Sequence, residues 1–176
     1  MTDMMRLIAP LIPALRRYAR ALLRNPADAD DLVQDCLERA VGRWHQRQAG
    51  GDARTWLFAI LHNLAVTQMR QRARRGAHMP IEDMAEATLA VAPTQESALR
   101  HRDLMYALDA LPEEQRSVLL LVTVEGLSYS ETAEILAIPT GTVMSRLSRA
   151  RARMIQSMDG AEAAVPAKRP LLRRVK

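Results

Sequence analysis

The chain has 176 residues, 48% of them hydrophobic, with 25 lysines and arginines against 20 acids. That composition excludes disorder throughout and allows one compact domain or two small ones. Its single cysteine, Cys36, leaves no internal disulfide and no cysteine-based zinc site, which fits a reducing compartment. No apolar run is long enough for a membrane span, and Asp3 and the prolines in "MTDMMRLIAPLIPALRRYAR" read poorly as a secretion signal. A cytoplasmic protein without membrane insertion is expected.

Periodicity predicts a helix over residues 11 to 24, ended by Asn25-Pro26, after which the aspartates of "RNPADAD" suit the start of the next helix. Leu32, Val33, Cys36, Leu37, Ala40, Val41 and Trp44 then recur at spacings of four and three, and Trp56, Leu57, Ile60, Leu61, Leu64 and Ala65 repeat the pattern. Each stretch should bury one face, with Cys36 as a small hydrophobe and the tryptophans as core anchors. "QAGGDA" (48 to 53) reads as a loop between them. With no β-type alternation, residues 1–75 form one expected helical bundle.

Composition changes at Gly76. Up to Leu99 the chain carries Glu82, Asp83, Glu86, Glu96, Pro80 and Pro93 and no lysine or arginine, so 76–99 reads as a linker, within which "IEDMAEATLA" suits a short helix. A second helical unit, 100–158, follows: Leu104, Leu108 and Leu111 lead to a helix that Pro112, Glu113 and Glu114 start and Gly126 stops. Residues 159–176, rich in alanine, proline and basic groups, are expected to be a disordered tail. The expected fold class is all-α, with two small helical domains joined by a flexible linker and a helix-turn-helix in the second. The units should fold separately, because the linker has too few apolar residues to join their cores.

Charge is unevenly placed. Residues 25 to 38 hold Asp28, Asp30, Asp31, Asp35 and Glu38 with no basic residue, whereas "MRQRARR" (69 to 75) and "GTVMSRLSRARAR" (141 to 153) each hold four arginines and no acid. In "SYSETAEILAIPTGTVMSRLSRARAR", Ser128 or Ser130 caps a first helix, Glu131 favours its first turn, Pro139 ends it and Thr140 can cap the second. Val143, Leu147, Ala150 and Met154 fall on one stripe of that second helix, facing Ala133, Leu136 and Ile138. The opposite face carries Ser145, Ser148, Arg149 and Ala152, flanked by Met144 and Arg151 on one side and Arg146 and Arg153 on the other. Small residues ringed by arginines suit a helix entering a major groove, where base edges need close approach and phosphates line both walls. A merely solvated face would mix charges, yet no acid lies between Glu134 and Asp159.

"DADDLVQDCLERAVGRW", "DARTWLFAILHNLAVTQMRQRARR" and "LPEEQRSVLLLVTVEGLSYSETAEILAIPTGTVMSRLSRARAR", in that order, resemble an extracytoplasmic-function sigma factor of bacterial RNA polymerase over roughly residues 8 to 156. The resemblance implies a promoter-specificity subunit without catalysis of its own, whose partners are core polymerase (the beta-prime clamp helices and the beta flap), promoter DNA and an anti-sigma factor. It assigns 1–75 to sigma region 2 and 100–158 to sigma region 4. It implies that Asp31, Leu32, Gln34, Asp35 and Glu38 meet the clamp helices. It sets Asn63, Arg70, Arg72, Arg74 and Arg75 against the minus-ten element, with the Asn63 amide reading a flipped base in a pocket completed by "AGGDAR". It makes the second helix of the helix-turn-helix the reader of the minus-thirty-five element, for which Thr140, Thr142, Met144, Ser145, Arg146, Ser148, Arg149 and Arg153 are the candidates, and base-edge chemistry makes Arg149 the first candidate for bidentate reading of guanine. The sequence departs from many members of the family at Met144, where they are basic, and at Ser148, where they carry a larger side chain. A structural reading stays open for the basic run, at a helix end that favours cations, and for Asn63 as a local hydrogen-bonder.

His45, His62, His78 and His101 show no ligand spacing, and no phosphate loop or catalytic constellation is present, so neither an enzyme nor a metal or cofactor protein is expected. Two other functions compete: a sigma mimic that sequesters an anti-sigma factor, and a plain helix-turn-helix regulator, which would leave the first unit and the linker unused.

Overall fold

A computed structural model describes residues 2–46, 51–75 and 95–163. Helix α1 (Thr2–Ile8) passes through a 3-10 turn (Ala9–Leu11) into α2 (Ile12–Leu23). Arg24 ends α2 in the left-handed region, φ 64°, and Asn25 opens α3 (Pro26–Gly42) by accepting the Asp28 N–H on its side-chain oxygen at 3.1 Å. The proline at N1 lacks the N–H that a helix start leaves unpaired, so the break predicted at Asn25-Pro26 is at once a stop and a start. A 3-10 turn (Trp44–Gln46) follows, and α4 (Ala53–Arg75) completes the first unit.

α2, α3 and α4 pack on one another around Leu15, Tyr18, Leu22, Cys36, Phe58 and Leu61, all buried, with the edge of Tyr18 on Phe58 at 5.6 Å between centroids. Cys36 donates to the Leu57 carbonyl at 3.6 Å, and burial pushes its thiol up to about 12, so it stays protonated and packs as a hydrophobe. Trp44 and Trp56 pack edge to face on each other, 6.0 Å between centroids, and both lean partly buried on the core.

The second unit consists of α5 (Gln95–Asp109), α6 (Glu113–Leu119), α7 (Tyr129–Leu136) and α8 (Thr140–Ala163). α5 starts inside the stretch read as linker, and α8 continues past residue 158 into the stretch read as tail. "IEDMAEATLA" and residues 164–176 lie outside the described residues. α6 does not run uniformly to Gly126: Leu120–Val124 form a π-helical turn, after which Gly126, at φ 67°, reverses the chain. α8 packs on α5, α6 and α7 through Val143, Leu147 and Ala150.

The two units also touch. α7 lies between α8 and α4, α2 meets α6 and the π turn, and the apolar residues of both units form one cluster. The linker's poverty in apolar residues does not keep the cores apart, because the helices meet directly rather than through it.

Candidate functional site

The helix-turn-helix is built by local hydrogen bonds. Ser128 and Glu131 form a reciprocal capping box: the Ser128 hydroxyl accepts the Glu131 N–H at 3.2 Å, and the Ser128 N–H donates to the Glu131 carboxylate at 2.7 Å. The bonds from the Ser128 hydroxyl and N–H hold the Glu131 carboxyl below its usual range. α7 ends with Ala137 left-handed at φ 51°, where the Ile138 N–H returns to the Ala133 carbonyl at 3.0 Å and the Ala137 N–H to Glu134 at 3.2 Å. Pro139 then supplies the carbonyl for the N–H groups of Thr142 and Val143 as α8 begins at Thr140.

α8 divides as its spacing predicts. Val143, Leu147 and Ala150 are buried and Met154 half-buried, while Thr140, Ser145, Ser148, Arg149, Arg151, Ala152 and Arg153 are exposed. Met144 is 54% exposed. Thr142 is half-buried, and its carbonyl accepts the Ser145 hydroxyl at 3.1 Å. Arg146 departs from the expected flank: it pairs with Glu114 of α6 at 2.7 Å and is only 23% exposed, so its charge is already matched by an acid in the first turn of α6.

In α4 the start is fixed by Asp52, whose carboxylate accepts the N–H groups of Arg54 and Thr55 and the Thr55 hydroxyl. Burial alone would raise the Asp52 carboxyl, but these bonds outweigh it and hold it low. His62 and Asn63 point to opposite environments. His62 is half-buried with Nδ1 3.0 Å from the Tyr18 hydroxyl, and desolvation brings it down to about 4. Asn63 is exposed, its carbonyl accepts the Thr67 hydroxyl at 2.8 Å, and among the described residues no hydrogen bond engages its amide. Arg70 and Arg74 are exposed and Arg75 is the last helical residue, whereas Arg72 pairs with Asp28 of α3. That hydrogen bond raises the Arg72 pKa further and ties the basic end of α4 to the start of α3.

On α3, Asp31, Gln34, Asp35 and Glu38 are exposed along one face, with Gln34 donating to Glu38 at 3.0 Å. Leu32 is not on that face. It is 3% exposed in the core, so its side chain supports the surface from beneath. Val41, placed by spacing in the buried stripe, is instead 50% exposed, one turn beyond Glu38 and two beyond Gln34. Asp30 faces α2 and pairs with Arg16 and Arg20, and Asp28 is taken by Arg72, which leaves Asp31, Asp35 and Glu38 as the outward acids. Among the described residues no group of three metal-ligating side chains converges and no helix is long and apolar enough to cross a membrane.

Known proteins share this arrangement. Residues 8–62 match the family model described as the sigma2 domain of PhyR, and residues 101–154 match region 4 of sigma-70. The ECF RNA polymerase sigma factor EcfG of Rhodopseudomonas palustris is 38% identical over 160 residues, 88% of this chain and 86% of that protein. The RNA polymerase sigma-E factor of Streptomyces coelicolor is 36% identical over 148 residues, covering 82% and 80%. Among solved structures, the sigma factor RpoE of Bartonella quintana, in complex with the anti-sigma factor NepR, superposes with a TM-score of 0.77 at 32% identity, over 90% of this chain and 98% of that one. CnrH, in complex with the cytosolic domain of CnrY, gives 0.68 at 26% identity, over 89% and 88%. With both sigma regions matched in order and relatives above 30% identity along most of their length, the chain belongs to the extracytoplasmic-function family of RNA polymerase sigma factors, non-enzymatic subunits that direct transcription initiation.

Proposed function

We propose that this sigma factor works in the cytoplasm by docking the outward acids of α3 on the clamp helices of polymerase, reading the minus-ten element with α4 and reading the minus-thirty-five element with α8. The observation that carries the reading is the face of α8, where Ser145 and Ser148 sit among exposed Arg149, Arg151 and Arg153 on a helix fixed from below by Val143, Leu147 and Ala150. Such a face admits a groove floor at its centre and phosphates at its edges. Residues 1–75 and 100–158 are the working units, the latter also meeting the beta flap, and 76–99 is the tether. RpoE was solved with the anti-sigma factor NepR, which supports an anti-sigma protein as a further partner here, and CnrH was likewise solved with a protein partner, the cytosolic domain of CnrY.

The match of residues 8–62 to a domain of PhyR favours a second reading, a mimic that only sequesters an anti-sigma protein. The exposed arginines of α8 speak against it, because a mimic has no use for a DNA-reading face. Run-off transcription with purified core polymerase on genomic fragments tests both: specific transcripts are expected, and binding of an anti-sigma protein without transcripts would favour the mimic. In the same assay Asn63→Ala should leave polymerase binding and closed-complex formation nearly intact but reduce the permanganate reactivity of melted thymines. A preformed mismatch bubble should recover part of the activity, since the lost pocket contacts offset a cost of a few kcal/mol for unstacking a base. Melting as efficient as wild type would return Asn63 to a structural role.

A further inference from the structure

The first two turns of α8, Thr140 to Leu147, correspond to the part of a helix-turn-helix recognition helix that meets base edges. Their long side chains past Val143 are Met144, Arg146 and Leu147. Leu147 is buried and Arg146 is paired with Glu114 at 2.7 Å, which leaves Met144, 54% exposed, as the long side chain facing outward. Its surroundings are small. At about 100° per residue, Gly141 and Ser148 lie within about 60° of Met144 round the axis on its outward side, with the buried stripe on the other. A Cβ at Gly141 would meet nothing within 4 Å, and the Ser145 hydroxyl is turned back to the Thr142 carbonyl at 3.1 Å. Met144 therefore stands above these neighbours, and its unbranched, flexible chain can lean over them toward a groove floor. Met69, Met105 and Met154 are by contrast partly buried against the core.

Chemistry narrows what such a side chain reads. A thioether has no donor and is a weak acceptor, so Met144 has nothing to offer the hydrogen-bonding edge of a base. In the major groove guanine presents two acceptors, cytosine a donor, adenine one of each, and thymine an acceptor beside its C5 methyl, the one apolar group among them. Pressing Met144 on a polar edge strips water from that edge and returns no hydrogen bond. Pressing it on a C5 methyl removes apolar surface of both partners from water. The rest of the face supplies what the methionine lacks: Arg149, Arg151 and Arg153 are exposed farther along α8, where they can hold guanine and phosphate while Met144 meets a methyl.

We infer that Met144 is a specificity-determining residue that reads the C5 methyl of one pyrimidine in the minus-thirty-five element, carried by thymine or by 5-methylcytosine. The inference rests on the promoter reading above, and its test separates the two. Holoenzyme made from core polymerase and the full chain is titrated on duplexes carrying a promoter found by run-off transcription. Each thymine of the minus-thirty-five element, on either strand, is replaced in turn by uracil, which deletes the methyl and keeps every hydrogen-bonding group. Each cytosine is replaced in turn by 5-methylcytosine, which adds one. Wild type should lose about fourfold in affinity at one thymine, the worth of burying a methyl-sized group. The ratio should be the same at low and high salt, because a methyl contact releases no counterion. Met144→Ala should bind the unmodified promoter at least about fourfold more weakly and respond no further to uracil at that position. Met144→Leu should keep the response, whereas Met144→Gln, similar in length but polar, should lose it. Because the residue is exposed, circular dichroism and urea unfolding of these variants should match wild type. A gain of about fourfold on methylating one cytosine, absent in Met144→Ala, would identify 5-methylcytosine rather than thymine as the source of the methyl. A uracil response that persists in Met144→Ala would overturn the methyl contact and leave the promoter reading standing. So would indifference to uracil and 5-methylcytosine throughout an element whose transversion abolishes binding. Binding that survives transversion of every base pair in the element would instead overturn the promoter reading of α8, and the methyl contact with it.

Discussion

The basic stretches of α4 and α8 have the same charge but different foundations. Beneath α8, Val143, Leu147 and Ala150 are buried directly under the arginines, so the exposed residues of that helix are held by the core of their own unit. Along α4 the last buried residue is Ala65, and "MRQRARR" continues beyond it with only Met69 partly packed and Arg72 tied to Asp28. In each helix one arginine is drawn to an acid in the first turn of a neighbour, Asp28 for Arg72 and Glu114 for Arg146. A duplex-reading helix needs a fixed angle in a groove, which a packed underside supplies. On the proposed reading the end of α4 meets an opened strand, which offers no fixed groove to match, so a thinner foundation suffices.

The largest effect expected from this difference is on stability. Leu147→Ala empties a site 2% exposed and should cost about 2–5 kcal/mol in urea unfolding, abolishing promoter binding with it. Met69→Ala should cost less than half as much, and equal losses would break the comparison. Acid comes next, because α4 buries a histidine on its core side whereas the underside of α8 is aliphatic. His62 is lowered from 6.5 to about 4 by desolvation, so between those values the unfolded chain holds a proton that the folded chain does not. Stability should therefore fall as pH drops through that window, by up to about 1.4 kcal/mol per pH unit, and His62→Phe should flatten the slope. Both tryptophans lie in the first unit, so their fluorescence reports its loosening directly.

The smallest expected effect sharpens the picture of α8 itself. Arg149→Ala should weaken promoter binding by about 1–3 kcal/mol and relax preference at one base pair, while Arg153→Ala should weaken all sequences alike and flatten the salt dependence. Arg146→Ala, whose charge is already matched by Glu114, should change the salt slope less than Arg153→Ala does. Gel-shift titrations at several salt concentrations measure all three, and uniform loss on every sequence for Arg149→Ala would make it a phosphate contact.

What the sequence made legible was local. The Ser128–Glu131 box, the start at Asn25-Pro26 and the Val143, Leu147, Ala150 stripe each depend on residues within a few positions, where helical geometry dictates the outcome. Val41 was harder, since periodicity gives a stripe but not how wide a face the neighbours cover: α3 packs on α2 and α4, which leaves Val41 outside, whereas Leu32 lies in the buried stripe that the spacing predicts and only the family resemblance set it on the surface. The pairing of Arg146 with Glu114 crosses from α8 to α6, and that of Arg17 with Glu125 spans 108 positions. No spacing rule reaches so far. The contact between the units escaped a reading of the linker for the same reason, because it depends on helix faces that only the folded chain brings together.

The π-helical turn at Leu120–Val124 sets the phase of everything that follows it. Such a turn holds one residue more than an α-helical one, and a residue in an α-helix advances by about 100° around the axis. Deleting a single residue there would restore an uninterrupted helix and swing Glu125 about a quarter of the way round, away from Arg17 and Arg54. One codon's difference in length between two otherwise similar chains thus decides whether Glu125 meets the first unit, with no change in any exposed arginine of α4 or α8.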